Sequence, residues 1–349
     1  MRALTVRPGA ADSALLDDVA EPSVGAHDVV LETLLVGICG TDAEIVSGRY
    51  GRPPPGADRL VVGHEALARV TSPPEGTGFA PGDLVVPMVR WPDPVPCDAC
   101  AVGEWDMCRN GRYTEHGIKG RDGFARERFA VPAERLVAVP SELGVHAVLV
   151  EPASIVAKAW EQVERIVARS DWWPRRALVT GAGPVGLLAT LMARQRGYET
   201  HVLDRVRDGP KPDLVDALGA TYHSGTVDEV GLSPDVEIEC TGVGSLVLDA
   251  IEHLAPTGVV CLAGISSGAR SIELDAGALN RQLVLENAVV VGTVNANRRH
   301  YDAAVGSLVA ADPDWLGALV SRRVPVASWQ DALAKRPTDV KVALELADT

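Results

Sequence analysis

Short apolar runs dominate the first 150 residues. Residues 2–6, 28–36, 67–70, 83–88 and 129–131 are rich in Val, Leu and Ala, and Gly, Pro and Asp turns such as Ala80-Pro81-Gly82-Asp83 separate them. This spacing predicts a small barrel or sandwich of strands. The pattern changes after Glu151-Pro152. A helical run over 153–167 leads to a buried-strand pattern at 177–180, a helix at 187–196 closed by Gly197, and a strand at 200–203. Helices at 213–218, 245–254 and 278–286 then alternate with strands at 236–240, 259–263 and 288–294. Alternation of this kind predicts a doubly wound parallel sheet. Residues 301–310, 315–320 and 329–335 read as surface helices, and 341–346 as a strand that returns to the first domain. The expected division is 1–154 with 296–349 against 155–295.

Composition narrows the class. The chain has 349 residues, enough for about two domains, and is 46% hydrophobic with a mean hydropathy of +0.08. Its net charge is −14, whereas a nucleic-acid partner wants a basic face. The start, MRALTVRPGA, lacks a signal-peptide pattern, and no uninterrupted apolar run approaches a bilayer span. A soluble, cytoplasmic protein with neither a nucleic-acid nor a membrane partner is expected. In a reducing compartment the clustered Cys97, Cys100 and Cys108 read as metal ligands, while Cys240 and Cys261 read as core thiols.

Three stretches carry candidate chemistry. The first is Gly37-Ile38-Cys39-Gly40-Thr41-Asp42 followed by Gly63-His64-Glu65. Thiolate, imidazole and carboxylate are donors that suit a catalytic zinc with one open position. Thr41, just past the cysteine, is placed to pass on a proton. The second is Cys97-Asp98-Ala99-Cys100 with Cys108, which gives three of the four donors of a structural zinc; Asp98, Glu104, Asp106, Glu115, His116 and Asp122 are open choices for the fourth. The third is Gly181-Ala182-Gly183-Pro184-Val185-Gly186, with a strand before it and a helix after it. In that context the glycines permit a tight turn, close approach of a pyrophosphate and helix–strand contact. Asp204 ends the next strand and is the acid type that bonds the ribose hydroxyls of NAD, whereas Arg205 and Arg207 offer charge for the 2′-phosphate of NADP. NAD is favoured on this reading, with NADP as a second possibility. Glu151 reads either as a helix-start acid or as a further ligand. Residues 113–118 read as a solvated turn, with a polar substrate pocket as the alternative. Asn295 and Asn297 leave the sheet near the reactive end of a bound dinucleotide.

These pieces, in this order, resemble the zinc-dependent medium-chain alcohol dehydrogenase superfamily across the chain, and within it the glucose dehydrogenase branch. The resemblance rests on Gly-Ile-Cys-Gly-Thr-Asp-Ala-Glu-Ile at 37–45, Pro-Pro-Gly-Ala-Asp-Arg-Leu-Val-Val-Gly-His-Glu at 54–65, Glu-Pro-Ala-Ser-Ile at 151–155, Val-Asn-Ala-Asn-Arg-Arg-His at 294–300, and the spacing of Cys97, Cys100 and Cys108. It implies a GroES-like β-rich catalytic domain and a Rossmann domain. It implies a catalytic zinc on Cys39 and His64, with Glu65 and Glu151 as direct or exchangeable ligands. It further implies oxidation of an aldose at C1 with NAD or NADP, contacts from Glu115, Glu151 and Asn295 to sugar hydroxyls with Asn297 and His300 as weaker candidates, and a homo-oligomer, either dimer or tetramer. Three departures stand out. Asp204 occupies a place where many such enzymes have a small residue. His116 and Ile155 replace a small residue and a carboxylate, which raises a cyclitol, modified sugar or secondary alcohol as an alternative substrate. A catalytically silent dinucleotide-binding protein is the non-enzyme alternative.

Overall fold

The computed structural model describes residues 1–266 and 271–347. They form two compact units, Met1–Ser154 with Asn295–Thr349, and Ile155–Val294. The second boundary falls just before Asn295, one residue earlier than the expected division, and the first falls within the helix Val150–Val167.

In the first unit, the long strand Asp28–Ile38 is the hub. It pairs antiparallel with Glu65–Ser72, with Arg128–Pro132 and with the C-terminal strand Val342–Glu345. That last strand also lies parallel to Arg322–Pro325, so the late strands of the chain extend the sheet that Asp28–Ile38 begins. The inner faces bury Leu4, Leu31, Val36, Ile45, Leu60, Val85, Phe124 and Phe129. Each such side chain contributes about 1.5–3 kcal/mol by leaving water. Phe124 and Phe129 pack with ring centroids 4.7 Å apart.

Two expectations for this unit need correction. Residues 113–118 are not a solvated turn: Thr114–His116 is a strand with Glu115 and His116 buried, paired in register with Arg90 and Trp91. The helix Arg298–Val309 does not lie on the surface all round; Tyr301, Ala304 and Leu308 recur at helical spacing on a buried face. The segment Ser141–Val167 is, by length and composition, apolar enough to cross a membrane, although charged residues such as Glu151 and Lys158 interrupt it, so no uninterrupted apolar run reaches that length. Its apolar window is 78% buried, as in the core helix of a globular protein.

The second unit is a parallel six-stranded sheet. Its strand order is Thr221–His223, Glu199–Leu203, Arg176–Thr180, Val236–Glu239, Val259–Leu262, Val289–Gly292. Sequence order reverses between Arg176–Thr180 and Val236–Glu239, the switch point at which doubly wound sheets bind ligands. The short edge strand Thr221–His223 carries too little apolar signal to be expected from sequence. Ala250, Ile251, Leu254 and Val260 form one core under the helix Gly244–Glu252, and Leu178, Leu203 and Val227 another.

Candidate active site

Cys39 starts the helix Gly40–Val46. Its backbone N–H donates to Asp42 Oδ2 at 2.9 Å, a reciprocal cap that turns the chain sharply and presents the thiol. Glu65 opens the neighbouring strand with His64 just before it, and the donor atoms of Cys39, His64 and Glu65 all lie within 4.8 Å of one another. Cys39 Sγ is 3.2 Å from His64 Nε2, and His64 Nδ1 faces Asp42 Oδ1 at 3.5 Å. One ring nitrogen therefore points into the cluster while a carboxylate sits behind the other, the arrangement that orients a metal-binding histidine. Gly37 makes room for this: a Cβ there would collide with Glu65 Oε2 and lie 2.8 Å from Lys341 Cε.

The electrostatics call for a cation. Burial raises the Cys39 thiol, and Asp42 raises it further. Burial also raises the Glu151 carboxyl well above the carboxylate range, with Glu65 and Asp42 adding to the shift against His64 and Lys341. For His64 burial pulls downward, but the charges of Cys39 and Asp42 prevail and hold the imidazole well above its ordinary value. Acidic groups converge in a dry place, and a borderline-soft dication relieves them with the donors already present. The residues thus fit zinc. Glu151 is buried and bears electrostatically on His64, but it does not join the three donors at that spacing. Sequence reasoning missed Lys341. This lysine, 1% exposed, forms an ion pair with Glu65 and donates to Ile38 O at 3.2 Å, so Glu65 has a cationic partner of its own. A charged residue opening an otherwise apolar strand is the only sequence signal it leaves.

In the same unit, Glu115 is held by three donors to one oxygen. Arg90 Nε and Nη2 each donate to Oε1 at 3.0 Å, and Asn295 Nδ2 donates at 3.1 Å. Among the described residues nothing is bonded to Oε2, which leaves it to accept a hydroxyl. Asn295 adopts a left-handed backbone, φ 59°, and caps its own turn through Ala296 N. Asn297 and His300 also serve the start of a helix. Asn297 caps the helix Arg298–Val309, bonds Asp106 and Glu104, and its N–H donates to His300 Nδ1. His116 is a core residue: Trp91 Nε1 donates to its Nε2 at 2.9 Å, Phe124 stacks on it, and burial holds its pKa well below the ordinary value.

Cys97, Cys100 and Cys108 also converge within 4.8 Å, on the short helix Asp98–Ala101 and the turn that follows. None of the open choices for a fourth ligand joins them at that spacing. Glu115 is tied to Arg90, His116 to Trp91, Asp106 to Asn297, Glu104 to Arg299, and Asp122 to Val61 N. Three of four tetrahedral donors are in place.

In the second unit the glycine-rich loop Gly181–Gly186 runs from the strand Arg176–Thr180 into the helix Pro184–Gln195, with Gly183 at the cap and Pro184 and Val185 in its first turn. Free N–H groups and the helix dipole at that terminus favour an anion. Gly181 has φ 95°, and a Cβ on Gly186 would fall on the carbonyl oxygen of Gly181. Across the switch point, Glu239 accepts from Thr241 and Gly242 N–H groups and fixes the facing turn, a role with no sequence signal. Asp204 Oδ2 accepts from Ala182 N at 2.7 Å and Lys211 Nζ at 2.9 Å, while Oδ1 accepts from Val206 N. Burial pushes the Asp204 carboxyl up, but Lys211 and these N–H groups outweigh it and lower the pKa. Lys211 was not foreseen.

Comparison with known proteins finds relatives over the whole chain. The family described as "Alcohol dehydrogenase GroES-like domain" matches residues 25–141, and "Glucose dehydrogenase C-terminus" matches 144–346. Glucose 1-dehydrogenase of Thermoproteus tenax is 42% identical, and glucose 1-dehydrogenase 2 of Vulcanisaeta moutnovskia 40%, each alignment covering 99% of both chains. The solved glucose dehydrogenase of Haloferax mediterranei, in complex with NADP, Zn and gluconolactone, is 33% identical with a TM-score of 0.93 over 100% of both chains. The chain therefore belongs to the zinc-dependent medium-chain alcohol dehydrogenase superfamily, in its glucose dehydrogenase-like branch.

Proposed function

We propose that this protein oxidises the C1 hydroxyl of an aldose, with hydride transfer to a nicotinamide dinucleotide. The observation that carries the reading is the convergence of Cys39, His64 and Glu65, with the free oxygen of Glu115 in the same unit. Cys39 and His64 hold the zinc, and Glu65, balanced by Lys341, and Glu151 stand by as exchangeable donors. When bound, zinc supplies Lewis acidity toward the substrate hydroxyl. Asp42 keeps the His64 ring in place. Thr41, in the first turn of Gly40–Val46, carries the hydroxyl proton away. Glu115, oriented by Arg90 and Asn295, accepts a hydrogen bond from a sugar hydroxyl and selects a polyol over a simple alcohol. The burial of His116 against Trp91 and Phe124 weakens one of the two reasons for a cyclitol or secondary alcohol; Ile155 is the other.

For the cofactor, NADP use is the better-supported reading, and the initial preference for NAD is given up. The Haloferax relative binds NADP. Asp204 has its charge balanced by Lys211, so it repels a 2′-phosphate weakly, and Arg205 and Arg207 are exposed next to it. The test is the initial rate of D-glucose oxidation with NADP and NAD in turn. Faster turnover with NADP, reversed toward NAD in Lys211→Ala, supports this assignment. An NAD preference that Lys211→Ala leaves untouched refutes it.

A further inference from the structure

A patch of positive charge lies in the first unit and takes no part in the roles above. Arg49, Arg52 and Lys119 line an open pocket of about 370 Å³ together with Tyr50 and Tyr113. Acidic residues outnumber basic ones in this chain, 47 to 33, yet among the described residues none of these three cations has a carboxylate partner. Their hydrogen bonds go to neutral oxygens: Arg49 Nε to Ser47 Oγ at 3.0 Å, and Lys119 Nζ to Gly111 O at 2.9 Å. The walls are fixed. Arg52 N donates to Ile118 O at 2.9 Å, and Gly120 N donates to Arg52 O at 2.8 Å, which ties the two cationic segments side by side.

The pocket is joined to the sugar site. Lys119 Nζ lies 3.9 Å from the centroid of the Tyr113 ring, and the Arg90 guanidinium lies 3.8 Å from the same centroid. Arg90 in turn holds Glu115. Gly117, just past that strand, abuts Gly63: a Cβ there would come 2.5 Å from the Gly63 carbonyl oxygen, next to His64. The pocket, Glu115 and the zinc donors therefore follow one another within a single unit.

We propose that Arg49, Arg52 and Lys119 form a subsite for the phosphate of a phosphorylated sugar, which places the anion at the end of the substrate remote from the carbon oxidised at zinc. This rests on the sugar dehydrogenase reading and narrows its substrate class. Two guanidinium forks and one ammonium match the oxygens and charge of a phosphate monoester better than those of a carboxylate. The half-exposed Tyr50 hydroxyl adds a neutral donor at the rim.

The test uses D-glucose 6-phosphate against D-glucose, in the wild type and in Arg52→Gln/Lys119→Gln. Both kcat/KM and calorimetric binding are measured. The wild type is expected to favour the phosphorylated sugar, with a gap that narrows as salt rises. The double variant is expected to lose about tenfold or more in kcat/KM and in affinity on that sugar, so the selectivity ratio collapses. Equal use of both sugars by the wild type, or an equal loss on both in the variant, overturns the subsite while glucose turnover leaves the dehydrogenase reading intact. If neither sugar turns over, calorimetry decides the subsite by itself: binding of glucose 6-phosphate that the double variant abolishes supports it, and binding that it leaves unchanged overturns it. Arg49→Gln, on an exposed residue bonded only to Ser47 Oγ through its side chain among the described residues, repeats the measurement in a variant that leaves the fold intact.

Discussion

Glu237 gives a direct test of the electrostatics of the second unit. It lies in the middle of the sheet, opposite Leu178 on one side and Val260 on the other, and is 0% exposed. Neither carboxyl oxygen makes a hydrogen bond of good geometry. Burial, reinforced by the charge of Glu239, raises its pKa from 4.5 to about 8, and Thr180 offsets only part of this. An acid whose folded pKa is raised binds its proton more tightly when folded. Its stabilising contribution is complete below pH 4.5, declines as pH rises, and is gone above pH 8. At 1.36 kcal/mol per pH unit, that window corresponds to about 5 kcal/mol. Glu237→Gln keeps the shape and removes the titration. The two proteins should unfold similarly near pH 5 and separate by several kcal/mol at pH 8, with the variant more stable, or roughly 10 °C in the transition of this unit. Calorimetric melts from pH 5 to pH 9 read this. Parallel pH slopes in wild type and variant would refute the reasoning, because the amide leaves the same neighbours unpaired and differs only in the proton.

Two further perturbations probe the sites. Lys341→Met strands the buried Glu65 carboxylate, so the metal-free protein should lose about 3–5 kcal/mol in a chelator-treated melt, and zinc should restore part of it by engaging Glu65. A melt unchanged in chelator would show that the ion pair is not formed. Gly186→Ala places a methyl on the Gly181 carbonyl oxygen, and the required backbone shift should cost about 1–3 kcal/mol and weaken NADP binding in a titration; unchanged affinity would contradict the role of the loop.

The parts of the site that sequence made legible are those whose signal is local. Cys39, His64 and Glu65 stand out because glycines flank them, and Gly181 to Gly186 because a strand and a helix bracket the loop. The parts it hid are supplied from afar. Lys341 reaches Glu65 across most of the chain, and its place before an apolar strand is too weak a signal to name that partner. Thr114–His116 read as a turn because its polarity is local, whereas its burial depends on Arg90 pairing with Glu115 from another strand. Asn297 and His300, the weaker candidates for substrate contact, also serve the start of the helix Arg298–Val309, where Asn297 N–H donates to His300 Nδ1, since the same side-chain amide and imidazole suit either task. Lys211 escaped notice beside the expected Asp204 and Arg205 because its partner lies at the end of the preceding strand, across a turn.

The most direct test of the central claim is zinc content measured together with the rate of D-glucose-dependent NADP reduction, in wild type and in Cys39→Ser. The account predicts that the variant loses catalytic-site zinc and falls at least about 100-fold in kcat, while its affinity for NADP stays close to that of wild type. A purified Cys39→Ser protein that keeps its metal and turns over at the wild-type rate would contradict it.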